Sequence, residues 1–147
     1  MKVKDCMCKD VQYVTPETTV QDVAKLMQNK HIGCALVCNT NKNLVGLVTD
    51  RDLILRSLAC DKDIKATPVS EIMTTNIYKT TPEADTTDVT KIMCDSQVRR
   101  VPVVDNGTLV GIVTLGDLTN NNKINNQDAY NALDGICRCG NNTQNNQ

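Results

Sequence analysis

Two heptapeptides carry the residue types best placed to do chemistry: Gly46-Leu-Val-Thr-Asp-Arg-Asp52 and Gly111-Ile-Val-Thr-Leu-Gly-Asp117. Both have the form Gly-h-h-Thr-x-x-Asp, where h is hydrophobic. In each, an apolar strand-like run ends at the Thr, and a helix is expected to begin close behind it. A helix start offers unpaired N–H groups and the positive end of the helix dipole, which favour phosphate. The hydroxyl of Thr49 or Thr114 can add a hydrogen bond to phosphate or ribose. A first-turn carboxylate, Asp52 or Asp117, can accept from both hydroxyls of a ribose, as an acidic residue does in dinucleotide folds. Each residue also has a plainer use: the Asp as a partner of the helix dipole, the Thr as a β-branched strand end.

Other reactive side chains assemble less well. Arg51, Arg99 and Arg100 are cations suited to phosphate, or ordinary solvated surface groups. His31 precedes a strand-like run and reads as a polar loop residue, with no catalytic triad or general-base pair around it. Of eight cysteines, Cys34 and Cys38 lie in an apolar run, Cys94 follows one, and Cys60 ends a helical pattern, where thiols act as small hydrophobes. Cys6-x-Cys8 and Cys137-x-Cys139 could supply four thiolates to zinc or another soft metal if the termini met, although Cys-x₂-Cys is the better spacing. No constellation offers a nucleophile, a base and an electrophile together.

The elements that must position these residues are written twice. Thr15-Pro16 matches Thr81-Pro82 at an offset of 66; Asp22-Val23, Met27 and Val37 match Asp88-Val89, Met93 and Val103. Gly46, Thr49 and Asp52 then match Gly111, Thr114 and Asp117 at an offset of 65. The lost residue falls in a polar turn, NTNKN against DNGT, as a repeated hairpin tolerates. Each copy reads β-α-β-β-α. Short extended segments, Val11–Val14 and Ile77–Thr80, stop at Thr-Pro. Thr19 and Asp85 are expected caps for helices whose apolar side includes Val20, Val23, Ala24 and Met27, or Val89, Ile92 and Met93. The hairpins are Gly33–Cys38 with Leu44–Thr49, and Val101–Val104 with Leu109–Thr114. A further helix is expected over Leu53–Ala59 in the first copy. Pro102 inside a strand pattern points to an edge or a bulge. Val3-Lys-Asp-Cys-Met7 is a degenerate copy of Val69-Ser-Glu-Ile-Met73, again 66 residues apart, so the repeat begins near residue 3.

This gives a first repeat over 3–60, a linker over 61–68, a second repeat over 69–120 and an Asn/Gln/Cys tail over 121–147. One helix over 124–136, with Tyr130, Leu133 and Ile136 on its apolar side, is expected in that tail, and disorder at its end. Neither repeat is large enough for a comfortable core alone, and two related by pseudo-two-fold symmetry can share one. The core must be aliphatic, since the 147 residues hold three Tyr and no Trp or Phe. A net charge of −1, from 16 basic and 17 acidic side chains, is not the footprint of a nucleic-acid binder. No signal-like apolar region opens the chain and no run is long enough to span a membrane, so a cytoplasmic protein with free thiols is expected.

The duplicated Gly-h-h-Thr-x-x-Asp, with the "SEIMT" linker and the "RRVPVVD" run, resembles the CBS domain in its tandem form, the Bateman module. The resemblance covers about residues 3 to 120. It implies an α/β (α+β) fold of two β-α-β-β-α repeats. The implied function is regulatory binding of AMP, ADP or ATP, or of S-adenosylmethionine or dinucleotides, without catalysis or a catalytic cofactor. It also implies a homodimer and a regulated protein whose identity the sequence does not carry. Thr49 and Asp52 would face Ile77, Tyr78, Val98, Arg99 and Arg100; Thr114 and Asp117 would face Val11, Gln12, Ile32, Gly33 and Cys34. Arg51, Arg99 and Arg100 give the Asp52 cleft cations that Gly116 and Gly33-Cys34 do not give the other, so the Asp52 cleft is the expected nucleotide site. The alternatives are an interaction or oligomerisation module without a ligand, and a thiol- or metal-responsive protein working through its terminal Cys pairs.

Overall fold

The structure, a computed structural model, describes residues 1–120 and 133–134. The expected tail helix and disordered end, with Cys137 and Cys139, lie outside the described residues, except for Leu133 and Asp134, which are helical. The chain forms two compact α+β units. The first comprises Gln12–Ile77 with Gly107–Leu109; the second comprises Met1–Val11, Tyr78–Asn106 and the chain from Val110 onward.

In the first unit, β1 (Tyr13–Val14) runs parallel to β2 (Cys34–Cys38), and β2 pairs antiparallel with β3 (Leu44–Thr49). The helix α1 (Val20–Lys30) connects β1 to β2. It starts where Thr19 Oγ1 accepts from Asp22 N at 3.2 Å and ends at His31, which adopts φ 53°. Val20, Val23 and Met27 face the core, but Ala24, counted on the same stripe, is exposed. After β3 the chain turns directly into α2 (Asp50–Arg56). The expected helix over Leu53–Ala59 stops early because the Ser57 hydroxyl donates back to the Leu53 carbonyl, competing with the helical ladder. A 3-10 turn, Leu58–Cys60, follows.

The second unit repeats the plan with α3 (Thr86–Ser96), β4 (Arg100–Asp105), β5 (Thr108–Thr114) and α4 (Leu115–Asn120). Asp85 caps α3 by accepting from Thr87 N at 3.0 Å, and Gln97 ends it at φ 57°, the place of His31. The Thr87 amide, and then the Thr87 hydroxyl that donates to Asp85 Oδ1 at 2.9 Å, hold the Asp85 carboxyl down at about 2. Only Thr80 of the expected segment Ile77–Thr80 pairs, in parallel with Val103, as Val14 does with Val37. The β4–β5 turn has Asn106 at φ 50° and Gly107 at φ 85°, the conformation an Asn-Gly hairpin favours. The Pro102 carbonyl accepts from Thr80 N at 2.9 Å. A strand residue's N and C=O point to the same side, so the missing N–H of Pro102 falls where pairing is a single bridge rather than a full ladder.

The two cores match residue by residue. Val23, Met27, Ala35, Val37, Val48, Leu53 and Val69 form one; Val89, Met93, Val101, Val103, Val113, Leu118 and Val3 form the other. Every pair keeps the repeat offset, except that Val3 takes the place of Val69. The leaders, Val3–Met7 and Val69–Met73, therefore each join the other copy's unit, and just behind them Thr74 pairs with Leu47 and Cys8 with Ile112. This crossover also explains the motif glycines. A β-carbon at Gly46 would run into the Met73 thioether, and one at Gly111 would lie 2.8 Å from Met7 Sδ and 2.9 Å from the Cys8 carbonyl oxygen.

Candidate functional site

Both Thr-x-x-Asp turns are closed by reciprocal hydrogen bonds. In the first, Thr49 N donates to Asp52 Oδ2 at 3.0 Å and Asp52 N donates to Thr49 Oγ1 at 3.2 Å. That is a capping box, with Asp in place of the usual Glu or Gln. In the second, Thr114 N and Thr114 Oγ1 both donate to Asp117 Oδ2 at 2.8 Å, and Asp117 N donates back to Thr114 Oγ1 at 3.2 Å. The plain helix-capping role is therefore real at both places. It consumes one carboxylate oxygen of each Asp and leaves Oδ1 for something else.

The surroundings of the two carboxylates differ. Arg56 Nε lies 3.6 Å from Asp52 Oδ1. Beside Asp117 stands Cys6, at the position that Ile72 holds in the other unit. Burial, then the Asp117 charge, then Asp5 push the Cys6 thiol up, so it stays protonated and is a poor metal ligand or nucleophile. Arg56 was not read from the sequence as functional. Its spacing from Asp52, i to i+4 on one helix, was the available signal.

Phosphate at the helix start is poorly served. The first turn of α2 carries the carboxylates of Asp50 and Asp52, and Arg51 N already donates to Asp50 Oδ1 at 2.9 Å. The helix has only seven residues, and α4 has six. The motif is thus better suited to a ligand's hydroxyls than to its phosphates.

The other expected site residues fall into two sets. Ile32, Gly33 and Cys34 share the first unit with Thr49, Arg51 and Asp52; Asp50 N donates to the Gly33 carbonyl at 3.0 Å and Cys34 is paired with Thr49. Val98, Arg99 and Arg100 share the second unit with Thr114, Gly116 and Asp117; Leu115 N donates to the Arg99 carbonyl at 2.9 Å. The structure thus brings each strand start to its own repeat's motif. Gln12 and Ile77 belong to the first unit, Val11 and Tyr78 to the second. Arg51, Arg99, Arg100 and Tyr78 are exposed, while Ile32, Ile77 and Val98 are half-buried. Arg51 also lines a shallow cavity of about 300 Å³ with Asp50, Ile54 and Leu55. Among the described residues no cluster of His, Cys, Asp and Glu could hold a metal ion, and no helix is long and apolar enough to cross a membrane.

The CBS domain model matches residues 3–59 and again 69–122. The chain belongs to the CBS domain family. It is 41% identical over 134 residues to the CBS domain-containing protein YhcV of Bacillus subtilis, covering 91% of this chain and 94% of that one. Among solved structures it is similar to Hypoxic Response Protein I with two coordinated zinc ions, at 31% identity and TM-score 0.77, over 82% of this chain and 98% of that one. It is also similar to CBSX2 in complex with AMP, at 29% identity and TM-score 0.71, over 80% and 92%.

Proposed function

We propose that this CBS pair is a non-catalytic regulatory module that binds AMP, ADP or ATP, with the Asp52 motif as its stronger site. The observation that carries the reading is the duplicated turn in which the cap uses one Asp oxygen and leaves the other. A carboxylate oxygen so placed suits a ribose hydroxyl, and a relative of the same fold holds AMP. Arg51, in the same unit as the Asp52 motif, belongs to this reading as a phosphate partner, with Ile32, Gly33 and Cys34 as lining residues. Val98, Arg99, Arg100 and Gly116, which share the second unit with Thr114 and Asp117, line the Asp117 motif in the same reading.

A homodimer is part of the proposal. Ile54, Leu55 and Leu58 of the first unit are 55%, 47% and 65% exposed. Asp50 and Arg51, of opposite charge, border them. A two-fold contact between copies would set each copy's Asp50 against the other's Arg51 over a shared apolar centre. Sedimentation of Leu58→Glu should show monomer where the parent chain shows dimer.

The deciding test is thermal melting of nucleotide-stripped protein with AMP, ADP, ATP, S-adenosylmethionine, NAD and GTP. A ligand at about 100 times its Kd adds roughly 2.7 kcal/mol. Asp52→Asn, which keeps a capping oxygen, should weaken adenosine binding by about tenfold or more, and by more than Asp117→Asn does. A larger loss from Asp117→Asn would reverse the assignment of sites. No shift with any nucleotide would leave an interaction module. A shift with zinc alone, lost in Cys137→Ser/Cys139→Ser, would make the protein metal-responsive.

A further inference from the structure

The geometry points to Arg56 as the positioning residue of the Asp52 motif, set by the segment Ile72–Thr74 that opens the second repeat; we infer that it makes this motif the one that distinguishes ribose from deoxyribose. The inference rests on the ribose reading of Asp52 given above.

Arg56 closes α2 and makes three contacts within the first unit. Its Nη1 donates to the Ile72 carbonyl at 3.0 Å and to Thr74 Oγ1 at 3.0 Å, while its Nε lies 3.6 Å from Asp52 Oδ1. Thr74 is itself fixed: Leu47 N donates to its carbonyl at 2.9 Å, and its N donates to the Leu47 carbonyl at 2.8 Å. Leu47 stands two residues before Thr49, whose N holds Asp52 Oδ2. The contacts close a ring from Asp52 through Arg56, Thr74, Leu47 and Thr49 back to Asp52.

A ring of this kind bears on both ends of the carboxylate, through a hydrogen bond at Oδ2 and an ion-pair contact at 3.6 Å at Oδ1. Oδ2 is held by the backbone, and Oδ1 is faced by a planar guanidinium whose far nitrogen is anchored elsewhere. Free rotation of the carboxylate about its terminal torsion would otherwise be soft. Arg56 can do this because its donors form a rigid fork; a Lys ammonium is a single point on a flexible stem. As a stabilising ion pair the contact would be worth little, since Arg56 is 47% exposed on its side chain. Its value lies in direction: one lone pair of Oδ1 stays aimed for an incoming hydroxyl. In the second motif the matching position is Asn121, outside the described residues, and among the described residues the hydrogen bonds to the Asp117 carboxylate fall on Oδ2.

Calorimetric titration of the full-length chain with AMP and with its 2′-deoxy and 3′-deoxy analogues tests this. The unsubstituted protein should prefer AMP by about tenfold or more, the worth of a hydrogen bond to a charged acceptor. Arg56→Ala should bring the three affinities within about twofold of one another, and Arg56→Lys should not restore the gap. Thr74→Val, which removes one anchor and keeps the shape, should shrink the preference partway and serves if Arg56→Ala does not fold. Asp117→Asn should keep the preference. An unsubstituted chain that binds no nucleotide, or all three equally, overturns the ribose reading itself. A preference in that chain that persists in folded Arg56→Ala or Thr74→Val overturns the role of Arg56 alone.

Discussion

The two Thr-x-x-Asp turns share a backbone solution and differ in what surrounds it. Thr49 uses its hydroxyl once, as an acceptor, whereas Thr114 uses its hydroxyl twice, accepting from Asp117 N and donating to Asp117 Oδ2. Asp52 has a cation at its second oxygen, while Asp117 has the protonated thiol of Cys6 nearby. The cap that starts each helix is thus alike in the two copies, while the groups beside each carboxylate differ. The second turn is the better cap, and the first has a cation beside its Asp. A motif that is plainly structural in both copies can still carry function in one, because the cap spends only half of each carboxylate.

The sharpest way to break this comparison is to crowd both turns from behind. Gly111→Ala should cost about 1–3 kcal/mol in denaturant unfolding, the usual penalty of overpacking. A β-carbon there meets the Cys8 carbonyl, which is backbone and part of the Cys8–Ile112 pairing. Gly46→Ala should cost less, because its obstacle is the Met73 side chain, which can swing aside. Equal penalties would mean that the two leaders are held equally loosely.

Next in size is the removal of each hydroxyl. Thr49→Ala should lower stability by about 1 kcal/mol, the worth of a helix N-cap. Thr114→Ala should lower it by more, since it deletes two bonds rather than one. Unfolding curves that rank the two the other way would undo the claim that the second turn is the better cap.

How far the sequence reveals this molecule depends on the range of each interaction. The caps Thr19 and Asp85, the Asn-Gly turn and the helix periodicity are local, and the structure has them where they were expected. The repeat offset also exposed the leader, Val3–Met7 against Val69–Met73. It did not show that each leader packs on the other copy's core, because that is a contact across most of the chain: Val3 N donates to the Ala84 carbonyl at 2.9 Å. The motif glycines were legible as a pattern but not as space for Met73 and Met7, for the same reason. Asp52 and Asp117 were legible as first-turn acids, but their capping bonds depend on rotamers that no spacing specifies. Arg56 looked like one more surface Arg at a helix end, since its anchors, Ile72 and Thr74, lie 16 and 18 residues away.

The finest test of the comparison is the chemistry of Cys6 against Cys8. Cys8 is exposed, while burial first and the Asp117 charge second raise Cys6. The thiolate is the reactive form, so a disulfide reagent at pH 8 should modify Cys8 well before Cys6, followed by mass spectrometry of peptides. The gap should narrow as pH rises through the Cys6 value. Asp117→Asn should speed Cys6 modification by removing one of the charges that hold it protonated, whereas Asp52→Asn should leave it unchanged. The sign for stability is the reverse of that for an acid whose folded value is lowered. The folded state holds the Cys6 proton more tightly than the unfolded chain does, so stability falls as pH climbs from the ordinary thiol range through the raised value. If Asp117→Asn leaves Cys6 as slow as before, burial and the Asp5 charge protect the thiol without it. The second turn would then lose the electrostatic feature that sets it apart from the first.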